Sequence, residues 1–222
     1  DDYRDNLKHL KMLQKYNPTD LSEAQKVTRK IAIFDSENGI DRFENFRFHN
    51  YPFNQISGNH LNLVEFMTDT HPIRNHREAA DYIERVKLFD DSLNSDLIWL
   101  GEQKKLGIFA PKFVFDHVIK QLKELIAYTD EENPLMQIFI KKVNKLDIST
   151  QKKEDLFSEL SVVIKSDVRP GYESILQYME TNYSNANKYH GVWSLPNGDA
   201  FYASRLRSYT TTDYTAEEIH QI

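Results

Sequence analysis

The chain has 222 residues, of which 40% are hydrophobic and 28% are charged, and its formal net charge is −6. This balance is typical of a folded globular protein, and the length allows one large domain or a domain with an additional segment. Because the sequence contains no cysteine, it excludes disulfides, thiolate nucleophiles and cysteine-ligated zinc.

The distribution of charge and hydropathy limits the partners further. The lysines are scattered rather than gathered into a stripe, and pairs such as Lys104–Lys105 and Lys152–Lys153 stand close to acidic residues, so no nucleic-acid footprint is expected. No apolar run approaches the length of a membrane span, and no signal peptide opens the sequence. The sequence begins at Asp1 without methionine, from which we expect that a leader has been removed.

Hydrophobic residues recur every three or four positions in the first part of the chain, which predicts two helices. The first covers residues 2–16. The second begins after residues 19–22, whose hydroxyl and carboxyl groups can cap free N–H groups, and is expected to end near Gly39. Residues 40–72 show no sustained period, so a long irregular connection is predicted there.

The middle of the chain predicts further helices with clear boundaries. Asn75 can cap a helix that continues to about Leu100, and Pro111 stands where the first turn of the next helix tolerates proline. Ser149 can cap a later helix, and Pro170 is expected at a kink or at a helix start. The body of the chain is therefore predicted to be a bundle of medium-length helices.

The last 32 residues differ from this body. Residues 191–195 alternate apolar and polar side chains, Pro196–Asp199 has the composition of a turn, and Ala200–Tyr202 is apolar again. This pattern predicts a β-hairpin, or a strand and a turn that feed directly into a helix. Thr215 and Glu218 have the spacing of a capping box, which predicts another helix start.

The fold prediction is therefore all-α, a multi-helix bundle with a short β-hairpin near the C-terminus. The bundle domain is assigned to residues 1–188, and the hairpin and helix start to residues 189–222. Because the chain stops where special residues are densest, we expect this second segment to lead into a C-terminal catalytic-like domain that the sequence does not include.

The C-terminal segment resembles the bacterial family known as domain of unknown function 885. Members of that family carry a G-[VL]-W-x-L-P-[DN]-G-x-x-[YF]-Y segment, and an arginine with a T-T-T-D-x-T-x-E-E-I-H run follows soon after it. The matching residues are Gly191, Val192, Trp193, Leu195, Pro196, Asn197, Gly198, Phe201, Tyr202, Arg207, Thr210, Thr211, Thr212, Asp213, Thr215, Glu217, Glu218, Ile219 and His220. Looser matches upstream, such as Gly107–Lys112, extend the resemblance over most of the chain. Ala216 departs from the proline that is common there, but alanine serves equally at a first helical position.

The resemblance implies a mostly helical, zincin-like protein that is often exported or lipid-anchored. Its zinc site would lie further along, in an H-E-x-x-P-G-H segment, where histidines bind the metal and a glutamate activates water for peptide hydrolysis. That segment is absent here, and none of the eight histidines has a partner at metal-binding spacing. We therefore expect no catalytic residue, metal ligand or cofactor in this chain, with zinc in the C-terminal part of the longer protein.

Several residues of the C-terminal segment are predicted to contact a peptide substrate. The aromatic side chains could line a groove, and the arginines could hold a carboxylate through paired hydrogen bonds. Plainer alternatives are packing of the hairpin for the aromatics, an internal ion pair for an arginine, local backbone caps for the threonines and an incidental exposed histidine. The predicted contacts are Trp193, Tyr202, Arg205, Arg207, Thr210, Thr211, Thr212 and His220.

These observations lead to two hypotheses about function. In the first, the chain is the N-terminal helical domain of a zinc-dependent, peptidase-like hydrolase and forms a wall of its substrate cleft. In the second, it is a non-catalytic helical module that binds a peptide or an envelope partner. The expected partners are the C-terminal remainder of the same polypeptide and a peptide substrate, without nucleic acid or a transmembrane segment. The expected location is outside the cytoplasm, either periplasmic or lipid-anchored.

Overall fold

The computed structural model describes residues 2–222, and within that range the chain forms helices and no strand or sheet. The all-α class is therefore confirmed. In chain order the α-helices are α1 (Asp2–Leu13), α2 (Glu23–Phe46), α3 (Asn59–Glu65), α4 (His76–Lys87), α5 (Phe89–Lys105), α6 (Lys112–Ala127), α7 (Pro134–Val143), α8 (Thr150–Val163), α9 (Arg169–Thr181), α10 (Gly198–Thr210) and α11 (Ala216–Gln221).

The helices group into two compact units. Unit 1 consists of the chain up to Asn50 together with Gly191–Ile222, and unit 2 consists of Tyr51–His190. The predicted division at residue 188 separates the C-terminal segment from everything before it. The structure instead groups that segment with the first helices, because α10 packs on α2.

Unit 2 is built around a hydrophobic core formed by α4 to α9. Leu93 and Leu122 are fully buried in this core, as are the larger Tyr82 and Phe139. The hydroxyl group of Tyr82 donates a hydrogen bond to the carbonyl oxygen of Leu135 at 3.1 Å. This bond satisfies the polar end of a buried aromatic side chain, which would otherwise cost free energy.

Two predicted boundaries in the first third of the chain are wrong. Helix α2 continues through Gly39 to Phe46, because this glycine serves close packing and does not end the helix. A β carbon at Gly39 would lie 2.2 Å from the side-chain amide of Asn6 in α1. The predicted irregular connection over residues 40–72 is also wrong in part, because it contains the short helix α3. The asparagine-rich sequence of this helix shows no clear helical period.

The predicted helix starts are more accurate than the ends. The side chain of Asn75 accepts a hydrogen bond from the N–H of Glu78, and Ser149 caps α8 in the same way. The single helix predicted from Asn75 to about Leu100 is two helices, since α4 ends at Lys87 and α5 begins at Phe89. Pro170 is the second residue of α9, which continues directly from a π-helical segment at Ile164–Val168, the kind of local irregularity at which a proline is accommodated within a helix.

The predicted β-hairpin near the C-terminus is not formed. Val192–Ser194 is one turn of 3₁₀ helix, and α10 begins at Gly198. Asn197 has a left-handed backbone with φ of 54°, and the N–H of Gly198 donates to the carbonyl oxygen of Leu195 at 2.9 Å. The Asn–Gly pair, which often closes hairpins, here turns the chain into a helix. A β carbon on Gly198 would lie 2.0 Å from the carbonyl oxygen of Val192, so this corner requires glycine.

Replacing Gly198 with alanine is expected to lower the Tm of the protein. Helix propensity alone favours alanine by about 1 kcal/mol, but the contact with a backbone oxygen cannot be relieved by rotating a side chain. Gly101→Ala in α5 is the matched control, because a β carbon there meets nothing within 4 Å, and it should leave the Tm unchanged or raised. Thermal melts followed by circular dichroism measure both variants, and equal Tm values would contradict the requirement for glycine.

A buried histidine in unit 2 links its stability to pH. His71 is 2% exposed, and neither of its ring nitrogens has a hydrogen-bond partner within residues 2–222. Its ring meets that of Tyr82 edge to face, with 5.2 Å between the centroids. Burial, together with the positive charge of Arg85, lowers the pKa of His71 below its usual value.

This lowered pKa predicts that unit 2 loses stability in mild acid. Below about pH 6.5 the histidine of the unfolded chain takes up a proton that His71 in the folded protein does not. The free energy of unfolding therefore decreases as the pH decreases, with a slope that reports this proton uptake. His71→Phe keeps an aromatic edge on Tyr82 and should reduce this slope. Urea unfolding between about pH 7.5 and 5.5, followed by Trp99 fluorescence in a Trp193→Phe background, measures it, and an unchanged slope would exclude His71 as the source.

Candidate functional site

Helix α10 packs on α2 through side chains that recur at helical spacing. Phe201 is buried, and its ring lies 5.6 Å from that of Phe46 and 4.8 Å from that of His49, measured between centroids. One turn further along α10, the hydroxyl group of Ser204 donates to a carboxylate oxygen of Asp41 at 2.6 Å. These contacts fix the position of α10 along α2.

Arg207 lies one turn beyond Ser204 on the same side of α10. It connects α10 to α2 and to the segment that follows the C-terminal turn. Its Nε donates to Asp213 at 2.9 Å, one terminal nitrogen donates to Asn38, and the other lies 3.6 Å from a carboxylate oxygen of Glu37. The guanidinium also stands 4.5 Å from the ring centroid of Phe34. Arg207 therefore makes internal ion pairs, which agrees with the plainer of its two predicted roles.

The threonine cluster forms the turn that follows α10. Thr211 has a left-handed backbone with φ of 57°, and its N–H donates to the carbonyl oxygen of Arg207 at 3.0 Å. A β-branched residue in this region costs about 1–2 kcal/mol. The hydroxyl of Thr210 donates to the carbonyl oxygen of Leu206 and lies 2.9 Å from that of Thr212. The turn is thus held by its own hydroxyl groups.

The predicted helix start after this turn is confirmed. The N–H of Thr215 donates to a carboxylate oxygen of Glu218 at 2.7 Å, and the N–H of Glu218 donates back to the Thr215 hydroxyl at 3.2 Å. This reciprocal pair satisfies two N–H groups at the start of α11. It also fixes the direction in which residues 213–215 leave the turn.

A cleft of about 550 Å³ opens in unit 1 beside α10 and this turn. The small side chains of Ala200 and Ala203 in α10 leave room for it. Its wall carries two carboxylates, those of Asp41 and Asp213, and one guanidinium, that of Arg207. Asp41 accepts hydrogen bonds from Ser204 and Asn45 but has no cationic partner within residues 2–222. The lining residues are Asp41, Phe46, Ala200, Ala203, Ser204, Arg207, Asp213, Tyr214 and Thr215.

Of the predicted substrate contacts, only Arg207 lines this cleft. Thr210, Thr211 and Thr212 form the turn that leads to its wall. Tyr202 and His220 are exposed outside the cleft, and Trp193 folds back so that its indole nitrogen would meet a β carbon on Gly191 at 2.2 Å. Arg205 contacts Tyr209, with 2.8 Å between its Nη2 and the tyrosine hydroxyl and 4.8 Å from the guanidinium to the ring centroid. Substrate contact by these residues stays a prediction.

The acidic side of the cleft was not predicted from the sequence. Asp41 belongs to α2 and stands 163 positions from its partner Ser204, so no local pattern connects the two. Asp213 belongs to the family motif, and its position six residues after Arg207 could have indicated that the two side chains form an ion pair. The described residues, 2–222, contain no group of three or more His, Asp or Glu side chains that could hold a metal ion. No helix in the same range is both long and apolar enough to cross a membrane.

Arg207 and Arg205 form a natural pair for testing these assignments. Arg207→Ala removes ion pairs to two segments and a ring contact, and it should lower the free energy of unfolding of unit 1 by about 1–3 kcal/mol. Arg205→Ala removes one exposed contact with Tyr209 and should cost less than about 1 kcal/mol. Urea unfolding followed by circular dichroism provides the comparison. A smaller loss for Arg207→Ala than for Arg205→Ala would contradict the structural role of Arg207.

Comparison with known proteins connects this arrangement to one family. The model of the family described as "Bacterial protein of unknown function (DUF885)" matches residues 1–222. A solved structure, that of a "putative lipoprotein" from Colwellia psychrerythraea, superimposes with a TM-score of 0.85 at 23% sequence identity. The similarity covers 99% of this chain and 39% of that one, so the chain spans well under half the length of the solved protein. At this identity the likeness establishes the fold. No functionally curated protein matches the chain.

Proposed function

Because the chain belongs to the bacterial family DUF885, whose model matches it along residues 1–222, we propose that it is the N-terminal substrate-binding part of a longer, exported hydrolase that acts on peptides. The cleft beside α10 carries this proposal. It is built by the segment that holds the family motif, and its volume of about 550 Å³ lies in the range of small-molecule sites.

The chemistry of the cleft suits a peptide. Asp41 and Asp213 offer carboxylate oxygens to backbone N–H groups or to a basic side chain, and the hydroxyl of Thr215 adds a further polar group. Phe46 and Tyr214 supply aromatic surface for an apolar side chain. Such a mixture of a few polar groups and apolar surface binds a chain segment without demanding one sequence.

The proposal gives this chain a binding role and no step of the reaction. Its residues do not fit a zinc ion, since residues 2–222 bring no set of three suitable ligands together. Zinc and the groups that act with it are proposed to lie in the rest of the longer protein. The length of the solved relative, of which this chain matches 39%, supports the existence of such a part.

Export is supported by the description of the same relative. A lipoprotein is held at a membrane through covalent lipid rather than through a spanning helix. We propose the same location for this protein, either in the periplasm or anchored there by lipid.

A second candidate function is a non-catalytic module that binds a peptide or an envelope protein. The observation that favours it is exposed aromatic surface on the C-terminal segment, where Trp193 is 62% exposed, Tyr209 77% and Tyr214 51%. Exposed aromatic side chains are enriched where proteins bind each other.

Filling the cleft tests the proposal. Ala203 is an exposed residue of the cleft wall, so Ala203→Phe should occupy the cleft without disturbing the core. In the full-length protein this variant should raise the KM for peptide hydrolysis by about tenfold or more, through loss of about 1.4 kcal/mol of binding. Ala24→Phe, on an exposed part of α2 outside the cleft, is the matched control and should leave KM unchanged.

The same experiment separates the two candidates. Zinc-dependent peptide hydrolysis that is weakened by Ala203→Phe and not by Ala24→Phe would support the hydrolase. Peptide binding by the parent protein without hydrolysis, lost in the same variant, would favour the binding module. Equal behaviour of the two variants would contradict the assignment of the cleft in either function.

A further inference from the structure

The outer face of α1 gathers cations that the sequence spreads along the helix. Arg4, Lys8 and Lys11 follow one another at intervals of four and three, which places them on one side of α1, and Lys15 continues the row in the turn after the helix. All four are exposed, and together with Leu7 and Met12 they line one shallow groove. At 1.5 Å per residue the helical part of the row, from Arg4 to Lys11, is about 10 Å long. The structure therefore shows a basic stripe where we expected scattered lysines.

This basic face points away from the rest of unit 1. The opposite side of α1 packs on α2, where the ring of Tyr3 stacks on that of Phe43 at 4.2 Å between centroids. Arg29 of α2 donates to the carbonyl oxygen of Leu13 at 2.9 Å. Residues that contact α2 thus occupy one side of α1, and Arg4, Lys8 and Lys11 occupy the other.

The charge on this face is not neutralised by any salt bridge among residues 2–222. None of its four cations forms a salt bridge with another described residue, whereas nine other lysine and arginine residues do. Residues 4–30 contain seven basic and three acidic side chains, a net charge of +4, while the whole chain carries −6. Within unit 1 the basic side chains are therefore concentrated in α1, the connection that follows it and the first turns of α2.

Apolar side chains accompany the cations. Met12 is 47% exposed within the groove, and Tyr16, in the connection that follows α1, is 53% exposed. Exposed cations beside apolar and aromatic side chains are typical of helices that lie at the interface of an anionic bilayer. Each basic residue near such a surface contributes about 1 kcal/mol.

We propose that the outer face of α1 docks the protein on a membrane surface of anionic phospholipid. An exposed row of cations along a shallow groove fits an array of phosphate groups, whereas a specific protein partner needs roughly 1,000 Å² of complementary surface. The remainder of unit 1 is acidic and is repelled by the same membrane, so the distribution of charge within unit 1 orients it with α1 toward the lipid. This inference does not depend on the proposed hydrolase.

Vesicle binding tests the proposal directly. The unacylated 222-residue chain should co-sediment with vesicles that contain phosphatidylglycerol and not with vesicles of phosphatidylcholine alone. Raising the salt from about 0.05 to about 0.3 M should weaken the binding severalfold, because the Debye length shortens. The triple variant Lys8→Gln, Lys11→Gln, Lys15→Gln should lose at least tenfold in affinity.

A control variant tests whether vesicle binding depends on the basic face of α1 or only on the total charge of the chain. Lys104→Gln, Lys145→Gln, Lys152→Gln removes the same charge from exposed positions of unit 2 and should bind nearly as well as the parent. Circular dichroism melts verify that both triple variants fold. Equal loss in the two variants, or no binding to phosphatidylglycerol at low salt, would overturn the proposal. Tighter binding to a double-stranded oligonucleotide than to the vesicles would replace lipid with nucleic acid as the partner.

Discussion

The packing of α10 against the second half of α2 organises unit 1, because it joins the two ends of the chain. Phe201 supplies the buried aromatic contact to Phe46 and His49, and Arg207 supplies hydrogen bonds and ion pairs to Asn38 and Glu37. A hydrophobic contact at one end of the helix and a charged network at the other fix both its position and its rotation. The corner at Gly198 determines where this helix can begin.

The cleft follows from that packing. Once Phe201, Ser204 and Arg207 face α2, the small side chains of Ala200 and Ala203 lie beside them on the wall of an open space. Arg207 then draws Asp213 back toward the helix, and the left-handed Thr211 makes the necessary turn possible. Three residues of the family motif, Arg207, Asp213 and Thr215, thus belong to the wall of the cleft.

The two surfaces of unit 1 that we propose as binding sites have opposite electrostatic character. Among residues 2–222, the carboxylate of Asp41 in the cleft has no cationic partner, and the cations on the outer face of α1 form no salt bridge. Because desolvating a charge is costly, charges without internal partners stay at the surface and remain available to a ligand. The proposals for peptide binding and membrane docking both rest on this principle, but they concern different helices and different charges.

The sequence by itself determined the helical class, the caps at Asn75 and Ser149, and the capping box at Thr215. These features depend on residues within one or two turns of each other, so local spacing contains the information. Only the tertiary structure decided that Gly39 permits close packing, that Asn197–Gly198 starts a helix instead of closing a hairpin, and that Asp41 faces Ser204. In each of these cases the deciding partner is a group whose approach depends on folding, such as Asn6, the Val192 carbonyl or a side chain 163 positions away. Local pattern specifies the elements, whereas the contacts that assemble a site are made only when those elements pack.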